Sequence, residues 1–270
     1  MDRSTITNRY LQALDLPSAP HSLALVSEII RRHLAAFPFS SVGPMLGNDL
    51  PLEPEALCER IVEGRRGGYC FEQNALLFEV LQELGFPMEL YLGRVIYNQD
   101  THPALTHRIS LLSWQGKRFL LDVGFGPLGP DVPVPMQANA TAQGSQFLYR
   151  VHEASPGVFH LQYFKDDAYF SLYKFEQARY GASDCEVGHF YSHKHPRATF
   201  LNHLVVSRTL ADEIRSLRNR TYRVITQQGD RDVLIESPVQ LGQLLNRELN
   251  LRVTEGESEF LFARTESAPS

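Results

Sequence analysis

The sequence predicts an α+β protein, and three observations carry the prediction. Apolar residues recur at helical spacing through the first third of the chain. At Met88 the pattern changes to short runs rich in β-branched and aromatic residues. Beyond about residue 190, strand-like runs are followed by another helix. With 270 residues, 43% of them hydrophobic, the chain exceeds what one small core needs, so two or three packed units are expected.

The elements follow in order. Ser22 caps a helix whose apolar residues Leu23, Val26, Ile29, Ile30, Leu34 and Phe37 share a face, and Pro38 lies just past its end. Glu53 to Gly64 repeats the pattern with Leu57, Ile61 and Val62. A third helix opens at Cys70, carries Leu77, Val80, Leu81 and Leu84 on one face, and stops at Gly85. The strand runs are MELYLGRVIY, HRISLLSW and RFLLDV, with Gln115-Gly116 as a tight hairpin turn between the last two. Phe147 to Val151, Val158 to Phe164 and Tyr169 to Tyr173 continue the strands, after a loop from Pro127 to Pro135. Thr199 to Thr209 and Tyr222 to Ile225 also read as strands, and Ser237-Pro238 opens a helix through about Leu249. No internal repeat is visible.

Charge and cysteine content exclude several function classes. The net charge is −5 with scattered Lys and Arg, which leaves no basic stripe for nucleic acid, and an anionic ligand would need a local basic site. No run approaches the length of a membrane span, and the N-terminus lacks a signal-peptide core. Cys58, Cys70 and Cys185 are odd in number and widely spaced, which argues against a disulfide framework. A cytoplasmic protein is expected.

The chemistry is carried by RRGGYCFEQN, residues 65–74, which sets Cys70 behind two glycines at a helix start. A thiol there gains a cationic neighbourhood and the positive end of the helix dipole, and a thiolate nucleophile further needs a base with an orienting partner. The hairpin supplies both. With Gln115 and Gly116 as the turn, paired positions sum to 231, so His107 lies opposite Gly124 and shares a face with Asp122 as its diagonal neighbour. Spacing alone does not bring Cys70 to this pair.

RRGGYCFEQN, THRISLL from Thr106 and LDVGFGPLGP from Leu121 resemble, in order and spacing, three signature segments of the arylamine N-acetyltransferases. The likeness extends through AAFPFSSV, ELGFPMELYLGRV and HFYSHKHPRATFLNHLVVSR. It implies a helical bundle over residues 1–86 carrying the nucleophile, a β-barrel over 87–190 carrying the histidine and aspartate, and an α/β lid over 191–270, with a thiol-protease-like core. Carried over residue by residue, it implies that Cys70 takes an acetyl group from acetyl-CoA, His107 acts as base and Asp122 orients it. It also implies that Gly124, Phe125 and Gly126 border the acyl and amine pocket, where the glycines let a bulky acyl donor approach. The implied acceptor is an arylamine, arylhydrazine or N-hydroxyarylamine, and no metal is expected. A thiol-protease-like hydrolase or amide synthase, and a silent binding protein of the same fold, are the rival readings.

The resemblance has departures. Ser40 and Ser41 stand where family members carry Glu and Asn, so a carboxylate partner for Arg66 is missing there. Arg108 replaces an apolar residue, and either alters the pocket rim or points outward. Other motifs read as structure. Cys58 lies on an amphipathic helix, and Trp114 beside the turn is a packing aromatic. Cys185, His189, His193 and His195 have spacing that suits zinc, but Gly188 and Pro196 weaken a regular helix there. Gly124 to Gly129 matches G-x-G-x-x-G, yet the prolines that follow forbid the helix a dinucleotide site requires.

Overall fold

The computed structural model describes residues 1–16 and 20–266; residues 267–270 of the expected C-terminal unit lie outside the described residues. Helix α1 (Arg3–Ala13) starts at Asp2, whose carboxylate accepts from Thr5 N at 2.8 Å. Helix α2 (Leu23–Ala36) starts at Ser22, whose hydroxyl accepts from Leu25 N at 3.1 Å, as the cap pattern predicts. It ends at Phe37, which is extended (φ −117°, ψ 92°) because a residue before proline is pushed out of the helical region. Strand β1 (Phe39–Ser40) and the short helices α3 (Val42–Met45) and α4 (Pro54–Leu57) follow.

The expected regular helix from Glu53 to Gly64 is corrected: α4 continues into a π-helical stretch, Cys58–Glu63, closed by Gly64 N donating to Glu59 O at 2.8 Å. Helix α5 (Cys70–Glu83) ends as predicted, with Gly85 at φ 86° and Phe86 N donating back to Leu81 O. Helices α1, α2 and α5 bury Tyr10, Ile29, Ile30, Leu77 and Val80 in one core with Leu112 and Leu121 of the hairpin. Burial of these side chains is the dominant stabilisation, at about 1.5–3 kcal/mol each.

An antiparallel eight-stranded sheet comes next: β2 (Met88–Val95), β3 (His107–Trp114), β4 (Lys117–Leu121), β5 (Val134–Pro135), β6 (Ala142–Gln143), β7 (Leu148–Ser155), β8 (Val158–Lys165) and β9 (Ala168–Glu176). Its order is β5-β4-β3-β2-β9-β8-β7-β6. It curls until β5 lies against β7, making a nearly closed barrel. The β3–β4 turn has φ 49° at Gln115 and 74° at Gly116, the mirror-image turn that a two-residue hairpin prefers. Trp114 pairs with Lys117 and Ser110 with Leu121, which is the 231 register.

Helices α6 (Ala182–Lys194) and α7 (Thr199–Asn202) lead to strands β10 (Val205–Thr209), β11 (Glu213–Arg218), β12 (Thr221–Thr226) and β13 (Gly229–Leu234). Helix α8 (Pro238–Gln243) runs into a π turn, Leu244–Glu248, and α9 (Glu255–Glu266) ends the described chain. The C-terminal sheet has the order β1-β10-β11-β12-β13, so a strand from the N-terminal region forms its edge.

Three expectations change in this region. Thr199 to Thr209 is not one strand: His203 N donates to Thr199 O and the Asn202 amide to Pro196 O and Ala198 O, closing a helical turn before the strand begins. Strands β11 and β13 escaped the reading because they are charge-rich; β13 pairs with β12 along an antiparallel ladder from Thr221–Leu234 to Thr226–Gly229, to which the exposed Arg223–Asp232 pair (2.7 Å) adds. Gly188 does not interrupt α6; a Cβ there would lie 2.6 Å from Leu105 O and from the Phe71 ring, so the glycine permits close packing.

Candidate active site

The two glycines before Cys70 have separate tasks. Gly67 has φ 64°, and a Cβ there would fall 2.7 Å from Pro38 O and from Ser40 Cβ, so β1 can lie alongside this loop only if the residue is glycine. Ser40 N then donates to Gly68 O at 2.9 Å, tying the loop through β1 to the C-terminal sheet. Gly68 packs on Glu72, whose carboxylate accepts from Tyr69 N at 3.0 Å and from Arg60 at 2.5 Å. Burial pushes the Glu72 carboxyl up, against the Arg60 charge. These contacts start the helix at Cys70, whose side chain is buried with Sγ 3.5 Å from Thr106 O.

His107 begins β3, beside Thr106, and Asp122 follows β4. His107 Nε2 donates to Asp122 Oδ2 at 2.7 Å, and both side chains are buried. The other carboxylate oxygen accepts from Asn74 Nδ2 at 2.8 Å and from Gly124 N at 2.9 Å. Asn74 lies one helical turn after Cys70, so α5 presents both on one face. Its amide also donates to Arg108 O (2.6 Å) and accepts from Val123 N (2.9 Å), which fastens α5 to the hairpin. Asn74 was quoted in the cysteine motif but given no role; its spacing of four from Cys70 is the signal that could have found it.

Electrostatics agree with this geometry. Burial alone pushes His107 down, but the Asp122 charge and hydrogen bond, with a contribution from Cys70, outweigh it and raise His107 to about 10. Burial likewise pushes Asp122 up, while His107, Asn74 and Gly124 N together hold it below the usual carboxylate range. Both directions describe an imidazolium–carboxylate pair.

A Cβ on Gly124 would lie 2.6 Å from Cys70 Cα and 2.8 Å from Asn74 Nδ2, so glycine is required there for the hairpin to pack on α5. Phe125 stands edge-on to His107 (centroids 5.2 Å, 87°) and 5.4 Å from Tyr173. Gly126 has φ 94° and faces Phe39 and Ser207 at 3.7–3.9 Å. Cys70, His107, Gly124 and Phe125 open onto a cavity of about 410 Å³, whose other walls include Phe39, Phe200 and Val205.

The family departures resolve structurally. Arg66 finds its carboxylate in Glu257 of α9, with two hydrogen bonds of 2.6 and 3.0 Å, so the partner absent at Ser40 and Ser41 comes from the far end of the chain. Ser41 instead donates to His203 O and accepts from Val205 N. Arg108 neither borders the cavity nor reaches solvent. It is buried, with its guanidinium 5.4 Å from the Phe78 ring centroid, and burial lowers it from its ordinary value. In the histidine cluster, His189 Nε2 donates to Leu50 O and its Nδ1 meets the Tyr69 hydroxyl, while His193 Nδ1 donates to His189 O. Among the described residues no group of three or more His, Cys, Asp or Glu is placed to hold a metal.

A sequence profile of the N-acetyltransferases matches residues 22–258. The chain is 31% identical over 232 residues to an arylamine N-acetyltransferase / N-hydroxyarylamine O-acetyltransferase of Salmonella typhimurium, covering 84% of this chain and 82% of that one. The solved arylamine N-acetyltransferase from Salmonella typhimurium superposes with a TM-score of 0.91 at 28% identity, over 96% of this chain and 98% of that one. That of Mycobacterium marinum in complex with CoA gives 0.89 at 26%, over 97% and 99%. Since the match spans nearly the whole fold, including both sheets and the loop that bears Cys70, the chain belongs to the arylamine N-acetyltransferase family of acyltransferases.

Proposed function

We propose that the protein moves an acetyl group from acetyl-CoA to an arylamine, arylhydrazine or N-hydroxyarylamine through a thioester on Cys70. The observation that carries this reading is the buried His107–Asp122 pair (2.7 Å) beside a cysteine at a helix N-terminus, with His107 and Cys70 both lining one cavity and Asp122 buried behind the histidine. Asp122 occupies Nε2 of His107, which leaves Nδ1 for the sulfur. An imidazolium there favours the thiolate, and the thiolate is the nucleophile.

In the first half-reaction the Cys70 sulfur attacks the thioester carbonyl, the carbon–sulfur bond to CoA breaks, and CoA leaves with the proton from His107. In the second, the acceptor nitrogen or oxygen attacks acetyl-Cys70, His107 takes the proton released, and the Cys70 sulfur departs. Asp122 holds the ring and its charge through both steps. An aromatic amine suits the site because it is neutral and nucleophilic at physiological pH, and Phe125 and Phe39 offer faces for its ring. N-hydroxyarylamines are included because the Salmonella relative's name includes that activity. Three free thiols suit a reducing compartment, and we place the reaction in the cytoplasm.

Initial-rate kinetics test the covalent route. Double-reciprocal plots against acetyl-CoA at several arylamine concentrations are expected to be parallel. Intersecting lines would mean direct transfer within a ternary complex.

A further inference from the structure

Arg108 lies outside the cavity, and its placement is costly. Alternation along β3 turns it away from His107, onto the face that packs on α5. Its register partner there is Leu92, which packs in one apolar cluster with Cys70, Phe71 and Cys185. Asn74, one turn after Cys70, donates to Arg108 O at 2.6 Å, so the strand residue that bears the cation is fastened to the start of α5. The side chain is 8% exposed, and among the described residues neither a carboxylate nor a hydrogen-bond acceptor pairs with its guanidinium; Nε is buried without a partner. The face of Phe78 offsets only part of the cost of taking an unpaired cation out of water, so an apolar residue would serve packing better.

The acidic groups that its charge reaches are Cys185, Glu79 and Cys70. Glu79 is spent on Arg3, at 3.1 Å, and burial pushes the Cys185 thiol up, with Asp184, Cys70 and Glu186 adding to it against the pull of Arg108. That leaves the Cys70 sulfur. Around it stand His107, backed by Asp122, and at the helix start Glu72, whose charge is paired with Arg60. On the reading that Cys70 carries the acetyl group, we infer that Arg108 is an electrostatic positioning residue: a second buried cation, behind the apolar wall of the site, that holds the Cys70 sulfur ionised. With apolar side chains between them, water and salt screen its charge little. It favours the thiolate twice, when the sulfur attacks acetyl-CoA and when it departs from acetyl-Cys70. In the second step His107 starts neutral, as base for the acceptor, so Arg108 is then the standing cation.

The test follows alkylation of Cys70 by iodoacetamide against pH in the wild type, Arg108→Met and Arg108→Lys, with peptide mapping to count Cys58 and Cys185 apart. Alkylation reads the thiolate without any acetyl transfer. In Arg108→Met the profile is expected to move to higher pH, so that the rate on its acid limb falls on the order of 3-fold to 10-fold while the plateau at high pH is kept. Arg108→Lys keeps the charge and should restore most of the loss. The melting temperature of Arg108→Met should hold or rise, because a buried unpaired cation gives way to an apolar chain of similar length. A profile unmoved in Arg108→Met, or moved as far in Arg108→Lys, overturns the inference and leaves Arg108 a packing residue. Arg108→Gln, also uncharged, reads the same shift if Arg108→Met does not fold. The two readings fail separately. A wild type that takes no acetyl group from acetyl-CoA, with a profile that still moves in Arg108→Met, defeats the acetyl-cysteine and supports the cation; an acetylated Cys70 with an unmoved profile defeats the cation alone.

Discussion

At the scale of single residues, Asp122 is the most constrained group in the site. Its Oδ1 accepts from Asn74 and Gly124 N, and its Oδ2 accepts from His107. In Asp122→Asn the two donors keep the amide oxygen where Oδ1 was, which turns the NH₂ group toward His107 Nε2. A donor then faces the ring nitrogen that should itself donate, and the imidazole takes the wrong tautomer. Single-turnover acetylation is expected to slow by about 10³ to 10⁴, as for the aspartate of a serine triad, with the melting transition retained. A well-folded variant slowed less than about tenfold would remove Asp122 from the orienting role. The Asp122–His107 proximity was readable because a two-residue turn fixes hairpin register, and alternation then fixes which side chains share a face. The Asn74 contacts were not readable, since they join segments far apart in sequence whose packing no local period encodes.

At the scale of elements, α6 shows where local rules fail. Gly188 reads as a helix breaker from propensity alone, and yet α6 runs through it, the residue being glycine because Leu105 O and the Phe71 ring occupy the space a side chain would need. Gly188→Ala should gain about 1 kcal/mol of helix propensity and lose about 1–3 kcal/mol to overpacking, with a backbone carbonyl that cannot move aside. The net effect is a lower melting temperature; a higher one would show that α6 shifts freely. The charge-rich strands β11 and β13 were hidden for a related reason: their few apolar residues, among them Ile214, Leu217 and Val233, are too sparse among charges to show a period of two, although Leu217 and Val233 pack in or against the C-terminal core. By contrast α2, α5 and the β3–β4 hairpin were legible, since caps, periodicity and turn residues all agreed.

At the scale of the whole molecule, three parts meet at Cys70: α5 brings the sulfur, the barrel hairpin brings His107 and Asp122, and the C-terminal sheet with β1 closes the cavity. Titration of buried histidines should set the pH range over which this assembly holds. Burial lowers His33 to about 3 and His189 to about 4, so between roughly pH 6.5 and those values the unfolded chain binds protons that the folded one refuses. Stability should therefore fall as pH drops through that window, by at most about 1.4 kcal/mol per pH unit for each histidine. His107, raised to about 10, contributes stability that is full below its unfolded value and fades as pH rises toward 10. Thermal melts should thus peak near pH 6.5, and His33→Gln should flatten the acid limb; an acid limb unchanged in that variant would contradict a neutral, buried His33. The most direct test of the proposed chemistry is to incubate the protein with acetyl-CoA and no acceptor, then locate label by intact mass and peptide mapping. One acetyl group on Cys70, removed on adding an arylamine, is the expected result; label on Cys58 or Cys185, or protein that never acquires label, would contradict a Cys70 thioester.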